Sequence, residues 1–182
     1  KNGVIKTATV VSGGSGYTSA PTITTSDAAA ASGFTTATLS TSLTNGKLSG
    51  ITITEGGENY GNPQGTVAAP AALTFNPSSA VSISNNTITL SSAQAAALEN
   101  NDQVTYSNGD GSNIGGLTET TFFVVQKSGN TIKLSTSSGG SAVNISSQGS
   151  GTSHSLTGQT ATATFTSENG DWYCIRKTPK DC

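Results

Sequence analysis

The stretch Val81-Ser82-Ile83-Ser84-Asn85-Asn86-Thr87-Ile88-Thr89-Leu90 decides the fold class. Apolar residues alternate with Ser and Thr on both sides of an Asn-Asn pair, which is the pattern of two half-buried strands joined by a tight turn. A two-residue loop at Asn85-Asn86 places Ile83 opposite Ile88, and the first and last residues of the stretch then face each other on the same side. We therefore predict a β-hairpin with one apolar face.

The same alternation recurs along the chain, with Thr on the polar side because its branched Cβ fits the strand pleat. Short strands separated by turn signals indicate a sandwich or a barrel. We predict an all-β fold with two small antiparallel β-sandwich or barrel-like modules, a C-terminal β-hairpin and at most one short helix. The helix candidate is Ser91–Leu98, where Ser suits the N-cap of an Ala-rich run. Further strands are expected at Gln103–Tyr106, Thr121–Gln126, Thr131–Ser135 and Val143–Ile145.

Residues 1–70 contain two copies of one sequence unit. Each copy has an Asn-Gly turn, a strand, a loop with a Gly pair, a tyrosine and a proline. The copies begin at Asn2 and Asn45 and reach their tyrosines at Tyr17 and Tyr60. The Gly pairs permit a sharp reversal, and we expect each Tyr to fold back over its own loop as a structural plug. Two units that bury little alone are expected to pack together as one small domain.

The repeat ends at Ala68-Ala69-Pro70-Ala71-Ala72, which marks a domain boundary. We assign 1–70 to a duplicated Gly-Gly-x-x-Tyr module and 71–158 to a β-sandwich-like module. The remainder, 159–182, is predicted to form a hairpin around an Asn-Gly turn, followed by a tail that ends in a cysteine. The strands of that hairpin are expected at Thr160–Thr166 and Asp171–Arg176.

Charged residues are scarce in this chain. It has 182 residues and a mass of 18.1 kDa, only 10% of its residues are charged, and its net charge is −2. An average globular protein has about 25% charged residues. The composition excludes the basic face that nucleic-acid binding needs and argues against docking on anionic lipid. No run of about 18 apolar residues suggests a membrane helix. Methionine is absent even at position 1, so we expect a processed or trimmed product.

No motif in the sequence indicates catalysis, so we predict a non-enzymatic protein with no cofactor and no metal. His154 is the one histidine, whereas a metal site needs several convergent ligands. Neither a Gly-x-Ser-x-Gly elbow nor a phosphate loop occurs. A calcium-like spacing runs from Asn108 through Asp110 to Glu119, but its sixth position is Asn113 rather than Gly. A hydrolase remains an alternative because carboxylates that converge in space leave no sequence signal.

Cys174 and Cys182 both lie close to the end of the chain. A disulfide between them would close a short loop and hold an end that otherwise frays. Such a bridge fits a protein that functions outside a reducing cytosol. Two free thiols without a role are the alternative. Because the pair is not a C-x-x-C motif, it indicates neither zinc binding nor redox catalysis.

Three segments, at Gly13–Ile23, Asp102–Gly109 and Ala161–Phe165, resemble structural proteins of tailed phages, and the middle one is most similar to those of marine and cyanobacterial phages. The segment Gly13–Ile23 resembles a repeat of phage fibres and head-surface proteins. The segment Asp102-Gln103-Val104-Thr105-Tyr106-Ser107-Asn108-Gly109, continued by Asn130-Thr131-Ile132-Lys133-Leu134-Ser135, resembles a common virion module. An HGL-like segment usually precedes that Asp, and Ala97-Leu98-Glu99 stands here instead. The end, Ala161–Phe165 followed by Asp171-Trp172-Tyr173, is similar to the closing hairpin of trimeric fibre and decoration domains.

This resemblance implies a structural protein on the outer surface of a phage particle, with capsid decoration or cement as the leading role. The implied partners are other virion proteins, either the major capsid protein or fibre subunits, and neither nucleic acid nor membrane. We expect a symmetric homo-oligomer, with a trimer favoured. Weakly charged, Thr-rich strand faces suit such contacts because they become interfaces without desolvating charges. The candidate interface or core anchors are the aromatic residues Phe165, Trp172, Tyr173, Tyr17 and Tyr60.

Two alternatives place the chain elsewhere. It is also consistent with a tail-fibre or adhesin module that binds host-surface glycan, for which Tyr17, Tyr60 and Trp172 supply aromatic rings. The other alternative is a subunit of an extracellular filament on a bacterial surface. The spacing of Trp172-Tyr173-Cys174 and Pro179-Lys180-Asp181-Cys182 resembles the C-termini of type IV pilins, although the N-terminal apolar pilin helix is missing.

Overall fold

The computed structural model describes residues 3–28, 33 and 35–169. The fold is all-β and antiparallel, as the alternating pattern predicts, and it contains two short helices where the sequence predicts at most one. The elements are β1 (Gly3–Ser12), β2 (Ile23–Asp27), β3 (Thr38–Thr44), β4 (Lys47–Glu55), β5 (Pro63–Val67), β6 (Leu73–Phe75), α1 (Pro77–Ala80), β7 (Val81–Ser82), β8 (Thr87–Thr89), α2 (Ser92–Ala96), β9 (Gln103–Ser107), β10 (Thr121–Ser128), β11 (Thr131–Ser135), β12 (His154–Gly158) and β13 (Thr162–Asn169).

Six strands form three two-stranded ribbons, which together we call the ribbon body. The ribbons pair β1 with β13, β2 with β5 and β3 with β4. Their inward faces carry the apolar member of each alternation, while Ser and Thr face solvent. The most buried residues of its core are Ile5, Tyr17, Leu48, Tyr60, Val67 and Ala161.

Reciprocal backbone hydrogen bonds link the two copies of the repeat in the ribbon body. Each tyrosine amide donates to the turn glycine of the other copy, and each loop glycine carbonyl accepts from a strand residue of the other copy. The four bonds are Tyr60 N to Gly3 O (2.9 Å), Tyr17 N to Gly46 O (3.0 Å), Leu48 N to Gly13 O (2.8 Å) and Ile5 N to Gly56 O (2.9 Å). The two copies are therefore related by an approximate two-fold exchange of contacts.

The strand β13 occupies the same place in the first copy that β3 occupies in the second. In the second copy, β3 and β4 form a hairpin through Asn45-Gly46, whose φ angles of 50° and 70° suit a two-residue turn. In the first copy, β1 pairs with β13 from the far end of the chain, although the register matches that of the hairpin. The pairs Ala8↔Phe165 and Thr9↔Thr164 correspond to Ile51↔Thr41 and Thr52↔Ser40, and both bulges fall at corresponding positions.

The C-terminal strand thus differs from its predicted setting. The sequence indicates a strand at Thr160–Thr166 paired with Asp171–Arg176 in a separate hairpin. In the structure this strand is β13, and it belongs to the ribbon body because it pairs with β1. The second half of the predicted hairpin, Asp171–Arg176, lies outside the described residues.

The other seven strands form one sheet that curls on itself, which we call the barrel. The strand order is β6-β12-β9-β10-β11-β8-β7, so β6 and β7 are the two edges. These edges are joined by Asn76 and the four residues of α1, which span only roughly 6 Å at 1.5 Å per residue. The edges must therefore lie close together. The enclosed core includes Leu73, Ile88, Leu98, Val104, Tyr106, Ile114, Phe122, Ile132 and Leu156.

The hairpin predicted at 81–90 is present, but its predicted register is wrong. Val81 pairs with Ile88 across a four-residue turn, and Ile83 lies in that turn with 45% of its surface exposed. Asn86 adopts a left-handed φ of 55°, and its side-chain oxygen accepts a hydrogen bond from the Ile145 amide at 2.7 Å. This anchoring sets the longer turn, and Val81 replaces Ile83 opposite Ile88 in the core.

The two helices are set by side-chain caps. The predicted helix is confirmed as α2, where Ser91 and Gln94 form a reciprocal capping box, and it ends earlier than predicted at Ala96. The additional helix α1 begins at Pro77 after the Asn76 cap, whose side chain accepts from the Ser78 amide at 3.0 Å. Such a short Asn-Pro-Ser-Ser segment resembles a turn in sequence, which is why the pattern does not reveal it.

The ribbon body and the barrel meet at the first glycine loop and at the Asn45-Gly46 turn. Gly46 packs so closely on the α2 C-terminus that a Cβ there would collide with the Ala97 backbone. The polar contacts are Gly16 N to Ala97 O (3.0 Å), Ser15 Oγ to Gln103 O (3.1 Å), Gln159 N to Ser15 Oγ (3.0 Å) and an ion pair between Lys47 and Asp102. These contacts fix one body on the other through both the first glycine loop and the turn between β3 and β4.

Candidate interaction surface

The outer face of the β3–β4 ribbon is lined by hydroxyl groups. Lys47 and Glu55 are the only charged residues of these two strands, and they stand at the two ends of β4. The exposed side chains between them are Ser40, Ser42, Ser49, Thr52 and Thr54. This surface can be covered by another protein without removing a charge from water.

The strand β3 is also an edge strand. Among the described residues it pairs only with β4, so its second edge has no ladder partner. Natural proteins protect such edges with charged residues or proline, and Thr38–Thr44 contains neither. An unprotected edge of seven residues beside an uncharged face is suited to accept a strand from another chain.

Two large apolar side chains are exposed at separate structural irregularities. Val11, with 64% of its surface exposed, is the extra residue of a bulge in β1. The corresponding bulge residue in β4 is Thr54. Ile83, described above, projects from the turn between β7 and β8. Both positions are places where regular pairing ends, which explains their exposure.

The two repeat tyrosines are buried and fully used in hydrogen bonding. The Tyr17 hydroxyl donates to Ala68 O and accepts from Ala161 N, both at 2.9 Å. The Tyr60 hydroxyl accepts from Ala37 N at 2.9 Å and hydrogen-bonds Thr25 Oγ1 at 2.7 Å. Each ring therefore closes the core beside the start of a strand, and neither ring presents a face on which a sugar could stack.

The remaining aromatic candidates divide between the core and the part of the chain beyond Asn169. Phe165 is 9% exposed and packs over Gly65, where any Cβ would collide with the ring. Trp172 and Tyr173 lie outside the described residues, as do both members of the proposed disulfide, Cys174 and Cys182.

His154 is a buried structural residue of the barrel. Its Nε2 donates to the Ser150 carbonyl at 2.8 Å, which leaves Nδ1 to accept from the Tyr106 hydroxyl at 2.8 Å. The same hydroxyl accepts from the Ile114 amide at 3.0 Å. Burial raises the pKa of Tyr106, and the bond from Ile114 partly opposes this shift. All the polar atoms of this network have partners, so it fixes the loop at Ile114 and offers no reactive group.

The acids of the calcium-like spacing bind the protein itself. The Asp110 carboxylate accepts hydrogen bonds from the Thr152 and Ser153 amides at 3.0 and 3.1 Å, and these bonds lower its pKa. Glu119 accepts from the Asn108 amide at 3.3 Å. The side chains therefore join neighbouring loops. Across the described residues, no group of three or more potential ligands is placed to hold a metal ion.

A shallow depression lies where α2 leads into β9, beside β10. Its volume is about 240 Å³, and it is lined by Asn100, Asn101, Val125, Gln126, Gly139 and Gly140. The Asn100 oxygen accepts from Lys127 N at 2.9 Å and the Asn101 oxygen accepts from Ser138 Oγ at 3.0 Å. These bonds leave the amide nitrogens available to a ligand.

Gln126 holds a strained backbone in this depression. Its φ is 48°, and it is the one residue other than Asn or Gly with a positive φ in the described ranges. A left-handed conformation at such a residue costs roughly 1–3 kcal/mol and clusters at functional sites. The sequence does not reveal this depression because Gln126 and the two glycines lie far along the chain from the Asn100-Asn101 pair. The only sequence signal is the Asn100-Asn101 pair beside a predicted strand.

Helices in the described part of the chain are all too short and polar to cross a membrane. Comparisons with known proteins give no assignment: no family model matches the chain, and neither a curated protein nor a solved structure matches it significantly.

Proposed function

We propose that this chain is a non-enzymatic structural protein on the outside of a phage particle, acting in capsid decoration through protein–protein contacts. The observation that carries the proposal is the uncharged outer edge of β3, which pairs with no strand of the described residues and lies beside the hydroxyl-lined face of its ribbon. The sequence resemblance to tailed-phage structural proteins supplies the setting, namely the virion surface.

The physical argument rests on the cost of desolvation. A protein interface that covers charges must remove them from water, whereas Ser and Thr hydroxyls exchange water for partner hydrogen bonds at smaller cost. The free ladder of β3 adds main-chain hydrogen bonds to a strand of the partner. The partner is the major capsid protein or a fibre subunit, and repeated contacts of this kind favour a symmetric homo-oligomer such as a trimer.

The first test is the copy number of the chain in purified particles of its source phage, measured by quantitative mass spectrometry. Copies in the hundreds per particle support decoration, and a few tens of copies support a fibre instead. Particles that contain no copies overturn the proposal.

The second test uses variants at matched positions of the two equivalent ribbons. Ser40→Lys places a charge on the β3 strand, whereas Thr164→Lys places it at the corresponding position of β13. We expect Ser40→Lys to weaken binding to particles that lack the protein, and Thr164→Lys to bind as the unmodified chain does. Equal binding by both variants and the unmodified chain would exclude β3 as the attachment edge.

A second candidate function is recognition of a neutral glycan by the depression at Gln126, as in a tail-fibre or adhesin module. Three amide side chains and a strained backbone favour it, and the volume suits a single sugar ring rather than a longer chain. A glycan array tests it: competable binding that Asn101→Ala abolishes supports the glycan role, and an array without specific signals excludes it.

A further inference from the structure

We propose that β13 is an exchangeable strand, so that residues 160–169 of one copy pair with β1 of a second copy of this chain. This self-association goes beyond the proposed function, because it depends on the ribbon body and not on what the protein decorates. The occupant of the β1 edge is then either the chain's own β13 or the β13 of its neighbour.

The strand β1 needs no covalent connection to its partner strand. In the second copy of the repeat, the Asn45-Gly46 turn joins β3 to β4. In the first copy, β1 and β13 keep the same register and the same bulges, although most of the chain separates them. Because the pairing is complete without a turn, a β13 from another chain meets the same contacts.

The contacts that anchor β13 are non-covalent, so the β13 of a second chain can make the same contacts. The Ala161 amide donates to Tyr17 Oη at 2.9 Å, and the Phe165 ring packs over Gly65. In the continuous copy, Ala37 donates to Tyr60 in the same way at 2.9 Å. Exchange replaces each contact of β13 with an identical one, which is why swapping an element between protomers has a low cost.

The connection that leads into β13 is short. Gln159, Thr160 and Ala161 alone separate β12 from β13, and the first two are exposed. Two hydrogen bonds between Gln159 and Ser15 hold this hinge in its bent form. When these bonds open and the hinge straightens, β13 is carried away from its own β1 and can reach the β1 of a neighbouring copy. At low protein concentration β1 pairs with the β13 of its own chain, because the effective concentration of that strand at β1 is higher than the concentration of other chains. When copies are held side by side, the β13 of a neighbour is present at a similar effective concentration and competes for β1.

The test mixes two single-cysteine chains in a background where Cys174 and Cys182 are replaced by Ser. One chain carries Thr9→Cys and the other carries Thr164→Cys, two exposed positions that face each other across β1 and β13. Directly opposed residues have Cβ atoms about 4.5–5.5 Å apart, close enough for a disulfide after small adjustment. Exchange places β13 of one chain on β1 of the other, which brings these two cysteines together and raises the yield of mixed disulfide dimer above the yield from random collision.

The matched control is the pair Ser40→Cys and Thr52→Cys in separate chains. These exposed positions face each other in the same register, but their strands are joined by a two-residue turn. They report disulfides formed by random collision. We expect the mixed dimer of the first pair to exceed the control several-fold after incubation at high concentration. Equal yields overturn the proposal.

A kinetic measurement provides a second, independent readout. Tyr17→Phe removes the bond that anchors the start of β13 and should raise the rate of mixed-dimer formation about fivefold, the effect of one buried hydrogen bond. Tyr60→Phe removes the equivalent bond from the continuous hairpin and should leave that rate unchanged. Equal acceleration by both variants would mean general destabilisation and would contradict exchange of β13. Particle copy number and strand exchange are separate measurements, so either proposal can fail while the other stands.

Discussion

At the scale of single residues, the two repeat tyrosines Tyr17 and Tyr60 are buried, and each hydroxyl holds the segment that leads into a strand. The sequence predicts that each tyrosine folds back over its own loop, and the Tyr60 ring does lie against Gly57 of its own Gly pair. The two hydroxyls also accept hydrogen bonds from the amides just before β13 and β3. Tyr60→Phe leaves the Ala37 amide without its partner, and we expect a loss of about 1–3 kcal/mol in the free energy of unfolding.

Urea unfolding measures this loss, and Tyr17→Phe provides the comparison because the same bond is made to Ala161. Similar losses in the two variants are the expected result. A Tyr60→Phe protein as stable as the unmodified chain would show that the hydroxyl does not hold the strand.

Asp110 gives a residue-scale prediction about pH. Hydrogen bonds from the Thr152 and Ser153 amides hold the pKa of this carboxyl below its ordinary value of 3.8. A lowered folded pKa adds stability that is present above the ordinary value and is lost as pH falls through the folded pKa. We expect Asp110→Asn to flatten the dependence of unfolding free energy on pH in the acidic range below 3.8.

The control for this experiment is Glu55→Gln, since Glu55 is an exposed carboxylate at the end of β4. Acid titrations of both variants, followed by thermal unfolding, make the comparison. A slope that is unchanged in Asp110→Asn would contradict the role assigned to the loop contacts.

At the scale of elements, the corrected hairpin register makes a sharp prediction. Ile88 is 1% exposed and Ile83 is 45% exposed. Ile88→Asp buries an unpaired charge and should cost about 4 kcal/mol or more, whereas Ile83→Asp should change stability by less than about 0.5 kcal/mol. Thermal or urea unfolding of the two variants is the measurement. Comparable destabilisation by both substitutions would contradict the observed register and support the predicted one, in which Ile83 lies opposite Ile88.

The elements also show how far the sequence alone can be read. Alternation identified β9, β10 and β11, and the Ser91 cap identified α2, because these signals are local. The strand predicted at Val143–Ile145 is wrong, since these residues belong to no strand and instead pack as a loop against the barrel core. The partner of β1 was not predictable in this way, since β13 is separated from it by the whole barrel. The depression at Gln126 was missed for the same reason, because separate segments form it. Strand pairing and surface depressions that involve distant segments depend on tertiary packing, which local sequence patterns do not predict.

At the scale of the whole molecule, the barrel has the properties of an inserted domain. Its first strand β6 pairs with its last strand β12, with Leu73 opposite Leu156, so the two ends of the barrel are adjacent. Its apolar core forms one cluster of its own. We expect an excised fragment of residues 71–158 to fold cooperatively, as measured by circular dichroism and amide exchange.

The matching fragment is residues 1–70, which lacks β13 and leaves the β1 edge unpaired. We expect it to remain unfolded, and we expect folding to return when residues 159–169 are joined directly ahead of Gly3. That junction brings Asn169 and Gly3 together as an Asn-Gly turn. An unfolded barrel fragment, or a stably folded 1–70 fragment, would contradict this division.

The antiparallel β1–β13 pairing has a mechanical consequence. Gly3 and Asn169 face each other at one end of this ribbon. A pulling force applied at these two residues loads one pair of hydrogen bonds at a time, so the two strands separate like a zipper. Strands pulled from opposite ends would instead load all their hydrogen bonds together and resist more strongly. Tension applied at Gly3 and Asn169 would therefore open the ribbon body first, while the barrel stays folded.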